Sequence, residues 1–364
     1  MLRMEAIKRY YSDVDACLRT CLQRHCQQLV AAPSIDEKIA IGLALDGLLQ
    51  LFGAVGARRS QIATDEIISL PDMPVIAAAI MPEQGPAALA ARARTLLPAL
   101  SSAILFAPEM PLMALLVEKM PLLEQRHAAG DSTPPRQPAR DAALHWSADK
   151  PFRFVEGRGI LDDDANYLGF LFYVLVDVEI SAMEICAYMI LDNPDMPAAF
   201  MGDMGRQIWD EARHASYIQA LYLERGGIIG AFPYTNTVLE RFMSADNLLD
   251  GLIVQQLLQE ANAVETNLNL AAQLQRAARE EEALSFLVIN NDEALHARIG
   301  NRWLHYLAQR DGLSEEHVFA QMLRLSKKVG MPVFGTGGWR DTLRSDIGFP
   351  TWLIEKKKML LSLT

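Results

Sequence analysis

The chain has 364 residues, 51% of them hydrophobic and 22% charged, with a formal net charge of −11. This composition excludes a disordered or low-complexity chain, and the length allows one enlarged core or two smaller ones. The acidic balance disfavours a nucleic-acid backbone as partner. Four cysteines with no leader-like start predict a reduced, cytoplasmic setting.

In chain order the pattern is helical almost throughout. Apolar residues at helical spacing predict helices around 1–31, 36–57, 86–103 and 108–127, broken by "APSID", "SLPDMP" and "FAPEMP". Cys17, Cys21 and His25 fall at i, i+4 and i+8 of the first helix, with Cys26 beside them. No second ligand group accompanies them, so they read as buried core thiols. Glu124 and His127 form a Glu-x-x-His pair before a connector and read as surface.

The connector, Ala128 to Pro151, is rich in proline and polar residues and is the best boundary in the chain. It divides the sequence into an N-terminal helical region (1–130), a linker (131–150), a helical bundle (151–312) and a C-terminal loop and helix (313–364). Four helical patterns follow: about 166–191, 198–225, 237–278 with a break near Ala245, and 280–310. Four long helices in succession predict an all-α bundle. The first has the length to span a bilayer, but Asp177, Glu179 and Glu184 lie near its middle. Acids at that depth are costly, so no membrane is expected. The basic run "EKKKM" near the C-terminus reads as a solvated face.

The chemistry sits in two stretches, "IWDEARHASY" and "NNDEALHARIG". A Glu-x-x-His unit presents an oxygen and a nitrogen ligand from one helix face, one turn apart. Glu211/His214 and Glu293/His296 both do this, and their ligand types suit iron or manganese. Asp210 and Asp292 each precede a histidine by four residues. From there an aspartate can accept a hydrogen bond from the imidazole nitrogen that faces away from a metal. Whether each serves its own histidine or the other one is left open by the spacing.

The first and third bundle helices should each add a carboxylate, either Glu179 or Glu184, and either Glu260 or Glu265. Glu179 precedes Glu211 by 32 residues and Glu260 precedes Glu293 by 33. Levelling across an antiparallel turn near Pro194 favours Glu179. The matched spacing favours Glu260, although a turn near Arg279 would put Glu265 nearer the metal level. Glu184 and Glu265 are therefore the reserves. The result is an internal repeat with approximate twofold symmetry, suited to two cations. A purely structural alternative would need buried cations such as Arg213 or Arg298 facing the acids. His145, His305 and His317 have no evident partners, and Trp303 and Tyr306 read as core packing.

The matching residues Glu179, Glu211, His214, Glu260, Glu293 and His296 resemble the ligand set of the ferritin-like di-iron carboxylate superfamily. "WDEARHASYIQALYLERGG" and "NDEALHARIGNRWLHYL" are similar to a bacterial ferritin-like family known only as a domain of unknown function. A tRNA isopentenyladenosine hydroxylase belongs to the same broader grouping. The resemblance covers roughly residues 135 to 325. It implies a ferritin-like four-helix bundle holding two iron ions, with manganese or a mixed iron–manganese pair as variants. The implied activity is that of a non-haem di-iron oxidoreductase, a hydroxylase or N-oxygenase of a small organic substrate. Dioxygen and a separate electron donor or reductase would be its partners, and a homodimer is compatible with the reading. The alternatives are a ferroxidase or peroxide-scavenging iron-handling protein, or a tRNA-modifying hydroxylase.

Overall fold

The computed structural model describes residues 2–64, 118, 137–156, 159–161, 163–334 and 340–361. The helices expected at 86–103 and 108–127, with Glu124 and His127, lie outside the described residues. Among the described residues the protein is all-α. Extended pairing there is confined to two isolated bridges, Trp146 with Tyr234 and Val155 with Gly159.

Three N-terminal helices come first: α1 (Leu2–Ala31), α2 (Ile35–Leu43) and α3 (Asp46–Thr64). Ser34 caps α2, its hydroxyl accepting from the Glu37 amide while the Glu37 carboxylate accepts from the Ser34 amide. The sequence pattern suggested one helix over 36–57; the structure breaks it at Ala44–Leu45, where Ala44 ends α2. The stretch Ile35–Gly56 has the length and apolarity of a membrane span. Its buried residues Ile35, Ile39, Leu48, Leu51 and Phe52 belong to the common core of the protein.

Four long segments follow. The first, α4, comprises Asp164–Tyr173, a π-helical stretch Val174–Ile180, and Ser181–Asp192. Asp163 caps its start by accepting from the Asn166 amide. Next comes α5 (Ala198–Glu224), which ends where Gly226 takes a φ of +81°, and the Gly227 amide reaches back to Tyr222 O. A short α6 (Thr237–Met243) leads to α7, built from Leu248–Leu252, a second π-helical stretch Ile253–Glu260, and Ala261–Arg276. The break expected near Ala245 is this α6–α7 junction. Then come α8 (Glu280–Arg310), α9 (Glu315–Val329), α10 (Asp341–Asp346) and α11 (Thr351–Leu361).

The long segments pack in sequence: α4 on α5, α7 on α8, and α5 on α8. Because α4 is apolar on nearly every side it goes inside; Leu171, Phe172, Leu175, Met183, Ile185 and Ile190 are fully buried. Each such side chain contributes about 1.5–3 kcal/mol of hydrophobic stabilisation. The N-terminal helices extend the same core: α1 packs on α4 and α5, while α2 and α3 pack on α5. Cys21, Cys26 and Cys186 are buried and Cys17 partly so, none of them in a disulfide. Trp303 packs edge-on against Phe200, with ring centroids 5.2 Å apart, and donates to Asp203. In the "EKKKM" run, Lys356 and Lys357 pair with Glu316 and Asp341.

The α7–α8 contact depends on one glycine. A Cβ at Gly300 would stand 2.1 Å from Gln256 Cβ, on the second π stretch. Gly300→Ala is therefore expected to cost about 1–3 kcal/mol through forced separation of the two helices. Urea unfolding would read the loss, and an unchanged midpoint would contradict it.

Candidate metal centre

The two Glu-x-x-His units lie on α5 and α8, and the π stretches of α4 and α7 carry Glu179 and Glu260. Single π turns inside α-helices occur frequently at functional sites. All six side chains are buried, none more than 5% exposed. They converge in two overlapping groups, each with its ligand atoms within 4.8 Å of one another. One comprises Glu179, Glu211, His214 and Glu293; the other comprises Glu211, Glu260, Glu293 and His296. Glu211 and Glu293 belong to both. That is the arrangement in which two carboxylates could bridge a pair of ions.

Both imidazoles turn Nδ1 inward. His214 Nδ1 lies 2.9 Å from Glu211 Oε2 and 3.5 Å from Glu179 Oε2. His296 Nδ1 lies 3.2 Å from Glu211 Oε1 and 3.5 Å from Glu293 Oε2. Nε2 points the other way on each ring, and the aspartates meet it crosswise. Asp292 accepts from His214 Nε2 at 3.2 Å, and Asp210 from His296 Nε2 at 3.4 Å. A proton held on Nε2 leaves the Nδ1 lone pair for a metal. Arg213 donates to both Asp210 and Asp292, and Arg206 donates to Asp210 at 2.7 Å. Arg213 thus secures the aspartates and does not face the glutamates. Arg298 points elsewhere, donating to Asp346 O.

The reserve glutamates have different neighbours. Five residues correspond to about 140° around an α-helix, so Glu-x4-Glu does not place both acids on one face. Glu184 meets Lys38 of α2 at 3.0 Å and receives a two-nitrogen contact from Arg140 of the linker. Glu265 receives Nε of Arg344 at 2.8 Å and Nη2 at 2.6 Å. Each reserve acid is therefore neutralised by a buried or half-buried guanidinium or ammonium. By contrast, neither a lysine nor an arginine pairs with Glu179, Glu211, Glu260 or Glu293 among the described residues. Two rows of buried glutamate run through the same helices, and among the described residues only one is paired with lysine and arginine.

Electrostatics make the imbalance concrete. Burial pushes the Glu179 carboxyl up to about 8, and burial next to Glu260 and Glu211 raises Glu293 well above the usual carboxylate range. Burial acts against the imidazolium forms, yet Asp292, Glu179 and Glu211 hold His214 well above its ordinary value. Glu211 and Asp210 do the same for His296. Glu211, though buried, is held far below the ordinary range by the two histidines. Asp210 opposes its own burial through His296, Arg206 and Arg213, and is brought down to about 2. Glu179 Oε2 and Glu293 Oε2 have no hydrogen-bond partner, and His296 Nδ1 has acids nearby without hydrogen-bond alignment. Orphaned buried acceptors beside an oxygen-and-nitrogen donor set fit hard or borderline divalent cations such as iron or manganese.

Some contributing residues carry no motif. Gln207 donates to Glu260 at 3.0 Å and lies 3.4 Å from Glu211, and Gln255 also donates to Glu260. Gln256 donates to Gln207 at 2.7 Å. These amides orient Glu260, while Glu179, its counterpart in the repeat, has no such support. Buried glutamines in a polar-looking "IVQQLLQE" were the available signal.

Fold and site together define an all-α protein with buried Glu/His clusters able to hold metal. The chain belongs to the family described as "Protein of unknown function (DUF455)", whose sequence model matches residues 112–337. No curated protein matches the chain. No solved structure matches it either.

Proposed function

We propose that the protein is a non-haem di-iron oxidoreductase that uses dioxygen to hydroxylate or N-oxygenate a small organic substrate. In this reading the four long segments form a ferritin-like four-helix bundle. Such bundles supply one Glu from each of two helices and Glu-x-x-His from each of the other two, all pointing inward. The observation that carries the reading is the contrast between the two glutamate rows. One is paired with Lys38, Arg140 and Arg344; the other converges with two histidines and is paired with no lysine or arginine among the described residues.

Glu179 and His214 would hold one ion, Glu260 and His296 the other, with Glu211 and Glu293 shared. When bound, the pair of metals supplies the electron-transfer and oxygen-activating chemistry. This chain's residues hold and orient. Asp292 and Asp210 fix the imidazole tautomers through Nε2, and Arg213 keeps both aspartates in place. Gln207 and Gln255 aim Glu260. The apolar packing of α4 keeps Glu179 nearly fully buried, at 2% exposure.

The test is metal content and optical spectrum after anaerobic ferrous loading and exposure to oxygen. About two irons per chain and an absorption band that develops only with oxygen support the proposal. A chain that takes up no iron contradicts it. Iron oxidation in the absence of any organic compound, with assembly into large cages, would favour the iron-handling alternative.

A pH dependence follows from the raised pKa values. Glu179, Glu293, His214 and His296 keep protons near neutrality that a metal must displace. Loading should release roughly two to four protons per pair of ions, and affinity should rise with pH. In metal-free protein the stabilising proton on Glu179 is fully present below the ordinary carboxyl pKa. That contribution is lost as pH rises through about 8. Calorimetry of Mn(II) binding in buffers of different ionisation enthalpy checks the release; none detected would contradict the assignment.

A further inference from the structure

On the carboxylate side of the cluster, a cavity of about 250 Å³ reaches the surface. Its floor is made by Glu179, Glu211, Glu260 and Glu293, and neither histidine lines it. One wall is aromatic. Phe152 packs edge-on against Phe170 at 5.2 Å and tilted against Tyr173 at 5.1 Å between ring centroids. Two cations, Lys150 and Arg241, also line the cavity.

These cations lack the partner that like charges facing one space should have. Neither forms an ion pair among the described residues. Lys150 Nζ lies over the Tyr173 ring at 4.4 Å, and the Arg241 charge, after partial burial, disfavours its protonated form. Among the described residues Arg241 uses only Nε, donating to Val329 O at 3.2 Å, which leaves its forked terminal nitrogens uncommitted there. Asp177 acts on Lys150 at longer range, but its oxygens are taken by the Thr235 amide and hydroxyl. A larger surface groove, about 890 Å³ beside Tyr167 and Glu224, does not touch the cluster, and its arginines already pair with Glu282.

We propose that this cavity takes a small organic acid, its carboxylate held by Lys150 and Arg241 and its flat apolar body lying against Phe152, Phe170 and Tyr173. The inference rests on the two-metal reading, because two divalent ions neutralise the four floor carboxylates that would otherwise repel an anion. A guanidinium fork matches the two oxygens of a carboxylate, and the aromatic wall matches a planar hydrocarbon. The acid end at the mouth would direct the far end of the molecule toward the cluster.

The experiment titrates phenylacetate, cinnamate and hexanoate, each beside its neutral amide, into Mn(II)-loaded protein by calorimetry. The acid should bind at least about tenfold more tightly than its amide, equivalent to about 1.4 kcal/mol. Lys150→Gln and Arg241→Gln should each erase that preference, whereas the exposed, distant Arg276→Gln should retain it. All three variants should hold as much Mn(II) as the parent. Equal binding of acid and amide, or dissociation constants above about 10 mM for every acid, overturns the inference. So does an acid preference that survives in Lys150→Gln or in Arg241→Gln. Failure of the underlying reading shows separately, as no Mn(II) bound by the parent chain.

Discussion

Glu211→Ala is expected to drop bound iron or manganese from about two ions per chain to less than one, with helix content retained. The size of the effect comes from sharing. Glu211 contributes an oxygen to both ligand groups, so its removal weakens both positions at once. Far-ultraviolet circular dichroism should change little, because the α5 core residues Ile208, Ala212, Ala215 and Ile218 stay in place. His296→Ala belongs to one group only and should also end two-metal binding, with one weak ion as the most that could remain. The informative comparison is Glu184→Gln, a buried glutamate in the same helices that pairs with Lys38 and Arg140. It should lose stability and keep its metals. Full occupancy in Glu211→Ala would refute the ligand set.

The second large effect concerns Arg344. Its side chain is fully buried and grips both oxygens of Glu265, which is 2% exposed. Arg344→Met leaves that carboxylate in a dry interior without a cation, and removing one member of a buried pair costs about 3–5 kcal/mol. The urea midpoint should fall accordingly. Adding Glu265→Leu to make the double variant should recover most of the loss, since two apolar groups have no charge to desolvate. Metal content of the double variant should match the parent, because Glu265 faces Arg344 and not the cluster. A double variant as unstable as the single one would show that packing of the 340–361 segment, and not charge, is what Arg344 provides.

Much of the centre was legible because ligand spacing on a helix is geometric. The i, i+3 rule placed each Glu-x-x-His on one face, and the structure brings those four residues together with Glu179 and Glu260. Matching the repeat pointed to Glu260, which the structure places in the converging group, where levelling across the turn pointed to Glu265. What decided the matter physically was invisible in local pattern. Lys38, Arg140 and Arg344 lie far from their glutamates in sequence, and no periodicity announces a partner from another segment. The π stretches were equally hidden: an apolar run such as "VLVDVEI" has the same composition whether it turns at 3.6 residues or wider. The crosswise service of Asp210 and Asp292 required the α5–α8 packing, which spacing within one helix cannot reveal. The split of 36–57 at Ala44–Leu45 was missed because neither residue is a helix breaker.

The overlap of the two ligand groups has a consequence for the repeat itself. The first group borrows Glu293 from the second hairpin, and the second group borrows Glu211 from the first. An isolated half would therefore lack one carboxylate of its own group. The two halves differ in how they hold their lone carboxylate: Gln207 and Gln255 donate to Glu260, while Glu179 Oε2 has no hydrogen-bond partner.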